Sequence, residues 1–166
     1  MPSQFTIRRA TADDANVIAE HRARMFDEMG DVPAGWLEPL RDKSSDRLRG
    51  AISKGEYIGW LASPMEEPKV IAGGAGVQLR QVLPHPLSRG ERWIGIAEGR
   101  HATVLNVFTD PAWRRRGVAQ LLLKQIIDWS RTESLDGLVL HASDAGRELY
   151  ERLGFAATNE MRFVGE

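Results

Sequence analysis

Along the chain the apolar positions switch repeatedly between a two-residue and a 3.6-residue period, and each switch marks an element. Residues 5–10, FTIRRA, alternate well enough to predict a first strand. The segment 11–30, TADDANVIAEHRARMFDEMG, opens with Thr11 three residues before Asp14, the spacing of a capping box. Ala15, Ile18, Ala19, Met25, Phe26 and Met29 then follow at helical spacing until Gly30 stops the run. Continuing that stripe calls for an apolar residue at position 22, where the chain has Arg22. Trp36, Leu37, Leu40, Leu48, Ala51 and Ile52 predict a second helix, with Pro39 near its first turn. EYIGWLAS (56–63) and KVIAGGAGVQLRQVL (69–83) are apolar and β-branched, and the turn-like PMEEP between them predicts a hairpin.

Residues 84–100 are rich in Pro, Gly and charge and predict a long connection, a length that often marks a binding loop. HATVLNVFTD (101–110) is the next strand, and Val118 to Arg131 is the clearest helix, with Ala119, Leu122, Leu123 and Ile126 on one face. LDGLVLHAS (135–143) predicts a short buried strand. DAGRELYERLG (144–154) predicts a short helix ended by Gly154, and FAATNEMRFVGE (155–166) a final strand or pair of strands. The order of strand, two helices, three strands, helix, strand, helix and strand predicts an α/β fold with the sheet packed on both faces. GGAG at 73–76 sits inside a strand pattern and lacks the following Lys-Ser/Thr of a nucleotide loop, so it reads as close backbone packing.

Composition narrows the classes. The 166 residues are read as one domain over 1–166, 42% hydrophobic and 27% charged, far from the disordered signature. Without cysteine there is no disulfide, thiolate metal site or cysteine nucleophile, and no metal is expected. A net charge of -1 gives no global pull toward nucleic acid or a membrane, and no signal peptide or span is visible. A cytoplasmic location, without nucleic-acid or membrane partners, is the expectation.

The charge that matters is local. In DPAWRRRGVAQLLL three arginines run from a strand end into a helix start, where the dipole favours negative charge. First-turn N–H groups lack intrahelical partners, Gly117 permits close approach, and guanidinium groups bind phosphate bidentately, so an anion is expected there. Downstream lies LYERLGF, with Tyr150, Leu153, Gly154 and Phe155. The two stretches together resemble the GCN5-related N-acetyltransferase (GNAT) superfamily, which transfers acetyl groups from acetyl-coenzyme A to amines. Its Q/R-x-x-G-x-G/A pattern reads here Arg114, Arg115, Arg116, Gly117, Val118 and Ala119.

That resemblance implies a central mixed, mostly antiparallel twisted sheet of about six to seven strands with helices on both faces. It implies that Val107, Phe108 and Thr109 offer backbone groups to the acetyl and pantetheine arm. Arg115 to Gln120 would surround the pyrophosphate, and Ser143 would stand where an asparagine often contacts the arm. Tyr150 matches the tyrosine that protonates the departing thiolate. A phenol of pKa about 10 serves a thiol of pKa about 8.5 only when held in contact, so geometry must come from the fold.

The acceptor side is less defined. Leu105 and Asn106 occupy the strand where many members carry a glutamate, which leaves the usual base unassigned. His141, at the end of LVLHA, is the best substitute, although a histidine there also serves as a backbone-bonded structural residue. Glu98 and His101 are runners-up. Arg22, on an apolar stripe, must snorkel, pair or face a polar cavity, and by the resemblance it borders an acceptor cleft for a carboxylate-bearing substrate. The acceptor is a small-molecule amine or a peptide or protein amine. An exposed final strand offers an edge to a second copy, as in a homodimer. The rival class is a non-catalytic acyl-coenzyme A binding or regulatory module on the same fold.

Overall fold

The computed structural model describes residues 4–165. The first alternating segment is strand β1 (Phe5–Arg9), and the Thr11 signal starts a 3-10 turn (Ala12–Asp14) that runs into helix α1 (Ala15–Glu28). The Asp14 carboxylate accepts the Thr11 N–H at 2.8 Å and two N–H groups of Arg8 at 2.7 and 2.8 Å, which locks the helix start to β1. The Arg8 guanidinium, with Thr11, holds the Asp14 carboxyl below the usual carboxylate range. Helix α2 (Leu37–Ser53) keeps Pro39 in its first turn, where no intrahelical N–H bond is lost.

Strands β2 (Tyr57–Pro64) and β3 (Gly73–Gln81) form the expected antiparallel hairpin. Its glycines are there for proximity. A Cβ at Gly73 would lie 2.5 Å from the Phe108 carbonyl oxygen, one at Gly74 would lie 2.9 Å from Leu61 Cδ2, and one at Gly76 would run into the Tyr57 hydroxyl.

Residues 84–100 are not an open connection. They contain a second hairpin, β4 (His85–Arg89) and β5 (Arg92–Ala97), closed by Gly90 and Glu91 with Gly90 at φ 60°. Pro86 is tolerated because this two-stranded sheet consists only of edges. Strand β6 (Arg100–Thr109) then leads through a short turn (Pro111–Trp113) to helix α3 (Val118–Thr132), followed by β7 (Gly137–Leu140) and α4 (Asp144–Arg152). The final strand expected over 155–166 does not form across 155–165, and position 166 lies outside the described residues. Met161, Phe163 and Val164 stay exposed there, and the outer edge of β7 is left unpaired by any strand among the described residues.

The main sheet has the order β1-β2-β3-β6-β7, with β7 parallel to β6 and the other pairs antiparallel. With the separate hairpin there are seven strands among the described residues. Strand alternation divides the core. Ile58, Trp60, Ala75, Val77, Ala102 and Val104 meet Val118, Leu122, Leu123 and Ile126 of α3 on one face. Tyr57, Leu61 and Leu105 meet Ala15, Ile18, Ala19 and Leu48 of α1 and α2 on the other. Among the described residues no helix is long and apolar enough to cross a membrane.

Candidate active site

Strand β6 holds the irregularity on which the site is built. Its register against β3 shifts between Gly74, opposite Phe108, and Gly76, opposite Leu105. Asn106 and Val107 therefore bulge against Ala75, and Asn106 adopts φ 56°, a conformation asparagine tolerates better than most residues. Asn106 turns toward α1. Its Oδ1 accepts from Arg22 Nη1 at 2.8 Å, and its Nδ2 donates to the Tyr57 hydroxyl at 3.1 Å. Val107 packs instead against the core shared with α3. On the other side of β6, pairing with β7 stops at Val104 and Leu140. Leu105 to Thr109 thus run on past the end of β7 with one backbone edge unpaired by any strand among the described residues, a gap in the pairing.

The β6–α3 loop turns that gap toward a cluster of donors. The Asp110 carboxylate accepts the Ala112 N–H at 3.0 Å, and Arg115 and Gly117 take φ 63° and 82°. The first bond of α3 runs from the Leu121 N–H to the Gly117 carbonyl at 2.9 Å. It leaves the N–H groups of Val118, Ala119 and Gln120 without intrahelical acceptors at the positive end of the helix. Helix α1 braces this loop through Arg24 to Asp110 at 2.9 Å and Glu28 to Arg114 at 2.5 Å. Arg114 also donates to the Thr109 carbonyl at 3.1 Å, so its guanidinium is committed to the scaffold. Arg115 and Arg116 are exposed, with Arg116 over Trp113, which itself packs edge-on against Phe5. Phe108 is buried between the His21 ring, stacked at 4.9 Å, and the Arg24 guanidinium. The Thr109 hydroxyl is buried without a hydrogen-bond partner among the described residues.

Tyr150 is half-buried on α4, edge-on to Phe155, against the core cluster that Val107 and Leu140 also pack on. Its hydroxyl makes no hydrogen bond among the described residues, and burial pushes its pKa up. Ser143 is the N-cap of α4 and accepts the Gly146 N–H. His141 lies one residue past β7, largely exposed, with Nε2 2.8 Å from Glu160. It does not line the cavity described below. Glu98 precedes β6 at the end away from the loop, with roughly 20 Å of strand from Arg100 to Asn106, at about 3.3 Å per residue, between it and the bulge. His101, at the same end, is bonded to His85 at 2.8 Å.

On the α1 and α2 face a cavity of about 260 Å³ opens beside the bulge. Arg22, Tyr57 and Asn106 form its inner end, and Lys43, Arg47 and Glu56 supply the charge around the rest. Burial pushes the Tyr57 hydroxyl up to about 12, so it stays protonated, and the same desolvation lowers the pKa of Arg22. The bulge thus stands between this cavity and the gap beside β7.

Residues 16–155 match the family model of the acetyltransferase (GNAT) family. The chain belongs to that family. A GCN5-related N-acetyltransferase from Ralstonia eutropha JMP134 is 29% identical to this GNAT chain, covering 96% of it and 97% of the other, with a TM-score of 0.81. A predicted acetyltransferase from Clostridium acetobutylicum, solved with acetyl-CoA, is 20% identical over 97% and 96% of the two chains, with a TM-score of 0.74. The probable acetyltransferase TAP2 of Glycine max is 26% identical over 96% of this GNAT chain, which spans 61% of that relative's length.

Sequence reasoning placed Arg22 at the cleft but missed Tyr57, Lys43 and Arg47. A signal for the bulge existed: Asn106, a poor strand former, interrupts TVLNVF.

Proposed function

We propose that this chain transfers an acetyl group from acetyl-coenzyme A to a primary amine, with Tyr150 protonating the departing sulfur. The unpaired edge of β6, running directly into the N–H groups at the start of α3, carries the reading. In it the pyrophosphate meets the N–H groups from Arg115 to Gln120, with Arg115 and Arg116 adding charge. The pantetheine arm and thioester lie along Val107, Phe108 and Thr109, with Ser143 across the gap. The Clostridium acetobutylicum relative solved with acetyl-CoA supports the choice of donor.

The amine enters from the cavity beside Asn106. Its nitrogen lone pair forms the new C–N bond, the C–S bond breaks, the sulfur takes the Tyr150 proton, and the nitrogen gives one up to solvent, which returns a proton to the Tyr150 phenolate. Asn106 replaces a carboxylate at the bulge, and His141 is occupied by Glu160. The reading therefore favours an amine of pKa about 8, partly neutral near pH 7.5, over a lysine-like amine of about 10.4.

The test is thiol release across a panel of amines together with calorimetric binding of acetyl-coenzyme A. The parent protein is expected to bind and turn over. Gly117→Glu is expected to bind at least about 100-fold more weakly, because its carboxylate competes for the helix start and a side chain at φ 82° costs about 1–2 kcal/mol. Binding without turnover on any amine would favour the non-catalytic module. Absence of binding in the parent would overturn both readings.

A further inference from the structure

Three cations without carboxylate partners among the described residues converge on the one cavity. On α1 and α2, Arg24 pairs with Asp110, and Arg41 lies within reach of Glu20, Glu38 and Asp42. Arg22, Lys43 and Arg47 pair with no carboxylate among the described residues, yet all three line one cavity with a single acidic residue, Glu56. Lys43 and Arg47 stand four residues apart on one face of α2, an arrangement that is repulsive without a counter-charge. Arg22 is more constrained. It comes from α1, is desolvated, lies over the Phe26 ring at 4.8 Å and makes one bond, to Asn106 Oδ1. A guanidinium has five donors, so several remain for a ligand. The Tyr57 hydroxyl accepts from Asn106 and keeps its own proton to offer.

From this convergence we infer that the cavity binds a small amine bearing a carboxylate or phosphate group, the anion held by Arg22, Lys43 and Arg47 and the amine directed to the bulge at Asn106. The inference rests on the acetyl-transfer reading for the amine and on the cavity alone for the anion. A space of about 260 Å³ lies just under the range of roughly 300–1,000 Å³ for drug-sized ligands, which suits a small metabolite rather than a peptide segment. Unlike the start of α3, this anion site is made of side chains on a different face of the sheet.

Two measurements test it. The first is calorimetric binding of glutarate and of glycerol phosphate, each against its uncharged counterpart, glutaramide or glycerol. At least one anion is expected to bind saturably, and which one does so separates carboxylate from phosphate. Its affinity is expected to fall at least about tenfold in Lys43→Gln/Arg47→Gln and to persist in Gly117→Glu. Lys43 and Arg47 are exposed, so the double variant should fold. The second compares glutamate and O-phosphoethanolamine with uncharged amines as acceptors. An anionic amine is expected to have a KM at least about tenfold lower, an advantage lost in the double variant.

Binding of neither anion overturns the inference, as does equal anion binding in the double variant or a lower KM for uncharged amines. If an anion binds in the cavity but acetyl-coenzyme A does not bind, the anion site stands and the acetyl-transfer reading falls. If acetyl-coenzyme A binds and an uncharged amine is acetylated while neither anion binds, the reverse holds.

Discussion

Replacing Tyr150 by phenylalanine is expected to lower kcat for acetyl transfer by about 10²–10⁴, the range for loss of a positioned general acid, and to leave acetyl-coenzyme A affinity intact. The hydroxyl has no hydrogen-bond partner among the described residues, so its removal leaves no buried group unsatisfied. The ring, which supplies the packing against Phe155 and the α4 side of the core, is retained. In water a tyrosine is a weaker acid than a thiol by about 1.5 pKa units, an uphill transfer of about 2 kcal/mol. Burial raises the tyrosine further, but it raises a departing thiolate too, since both charged forms are anions. In the proposed reaction, contact with the departing sulfur is therefore what Tyr150 would contribute. Because its pKa is raised, it remains protonated through the alkaline range in which amines become neutral. Steady-state thiol release, with acetyl-coenzyme A binding measured separately, checks the prediction. An unchanged kcat would remove Tyr150 from the chemistry.

Stability is expected to fall by about 3 kcal/mol as pH drops from about 6.5 to about 4, largely because of His21. Burial and, after it, the Arg24 guanidinium hold its pKa down to about 4 against the opposing pull of Asp110. The unfolded chain takes up a proton on His21 near 6.5, whereas the folded chain refuses it until about 4. Between these values the unfolded state binds more protons, so the stabilisation is complete above the first and lost on descent to the second. At about 1.4 kcal/mol per pKa unit the separation corresponds to the figure given. His101, lowered by partial burial and then by His85, adds a smaller share in the same direction. Urea unfolding at pH 7, 6, 5 and 4 checks it, and His21→Gln is expected to flatten most of the slope. An equally steep slope in that variant would refute the assignment. The consequence reaches the site, because the His21 ring stacks on Phe108 and charging it would loosen β6 where the thioester is proposed to lie.

What could be read from the chain without coordinates was local. The Thr11 to Asp14 start, the apolar face of α3, the Gly30 and Gly154 stops and the arginine-glycine entry to α3 depend on residues within one or two turns of each other. Period, capping and the demand for positive φ act over that range, which is why the family and the arginine-glycine loop were legible. The glycines of β3 were legible as close packing, though not what they approach.

The structure decided whatever depends on contacts distant in sequence. Arg114, expected as a phosphate ligand, pairs with Glu28, 86 residues away. Glu98 looked close to the site because it precedes the site strand, yet the length of that strand, at about 3.3 Å per residue, stands between it and Asn106. The exposed tail alternated like a strand but pairs with none across 155–165, since a strand is stabilised by a partner that its own sequence does not specify. Arg22, 84 residues from Asn106, became part of a cationic cavity only when α2 brought Lys43 and Arg47 beside it. Local pattern determined the elements and the loop proposed to face the donor; packing among distant elements alone determined the bulge, the break in pairing beside β7 and the cavity proposed to face the acceptor.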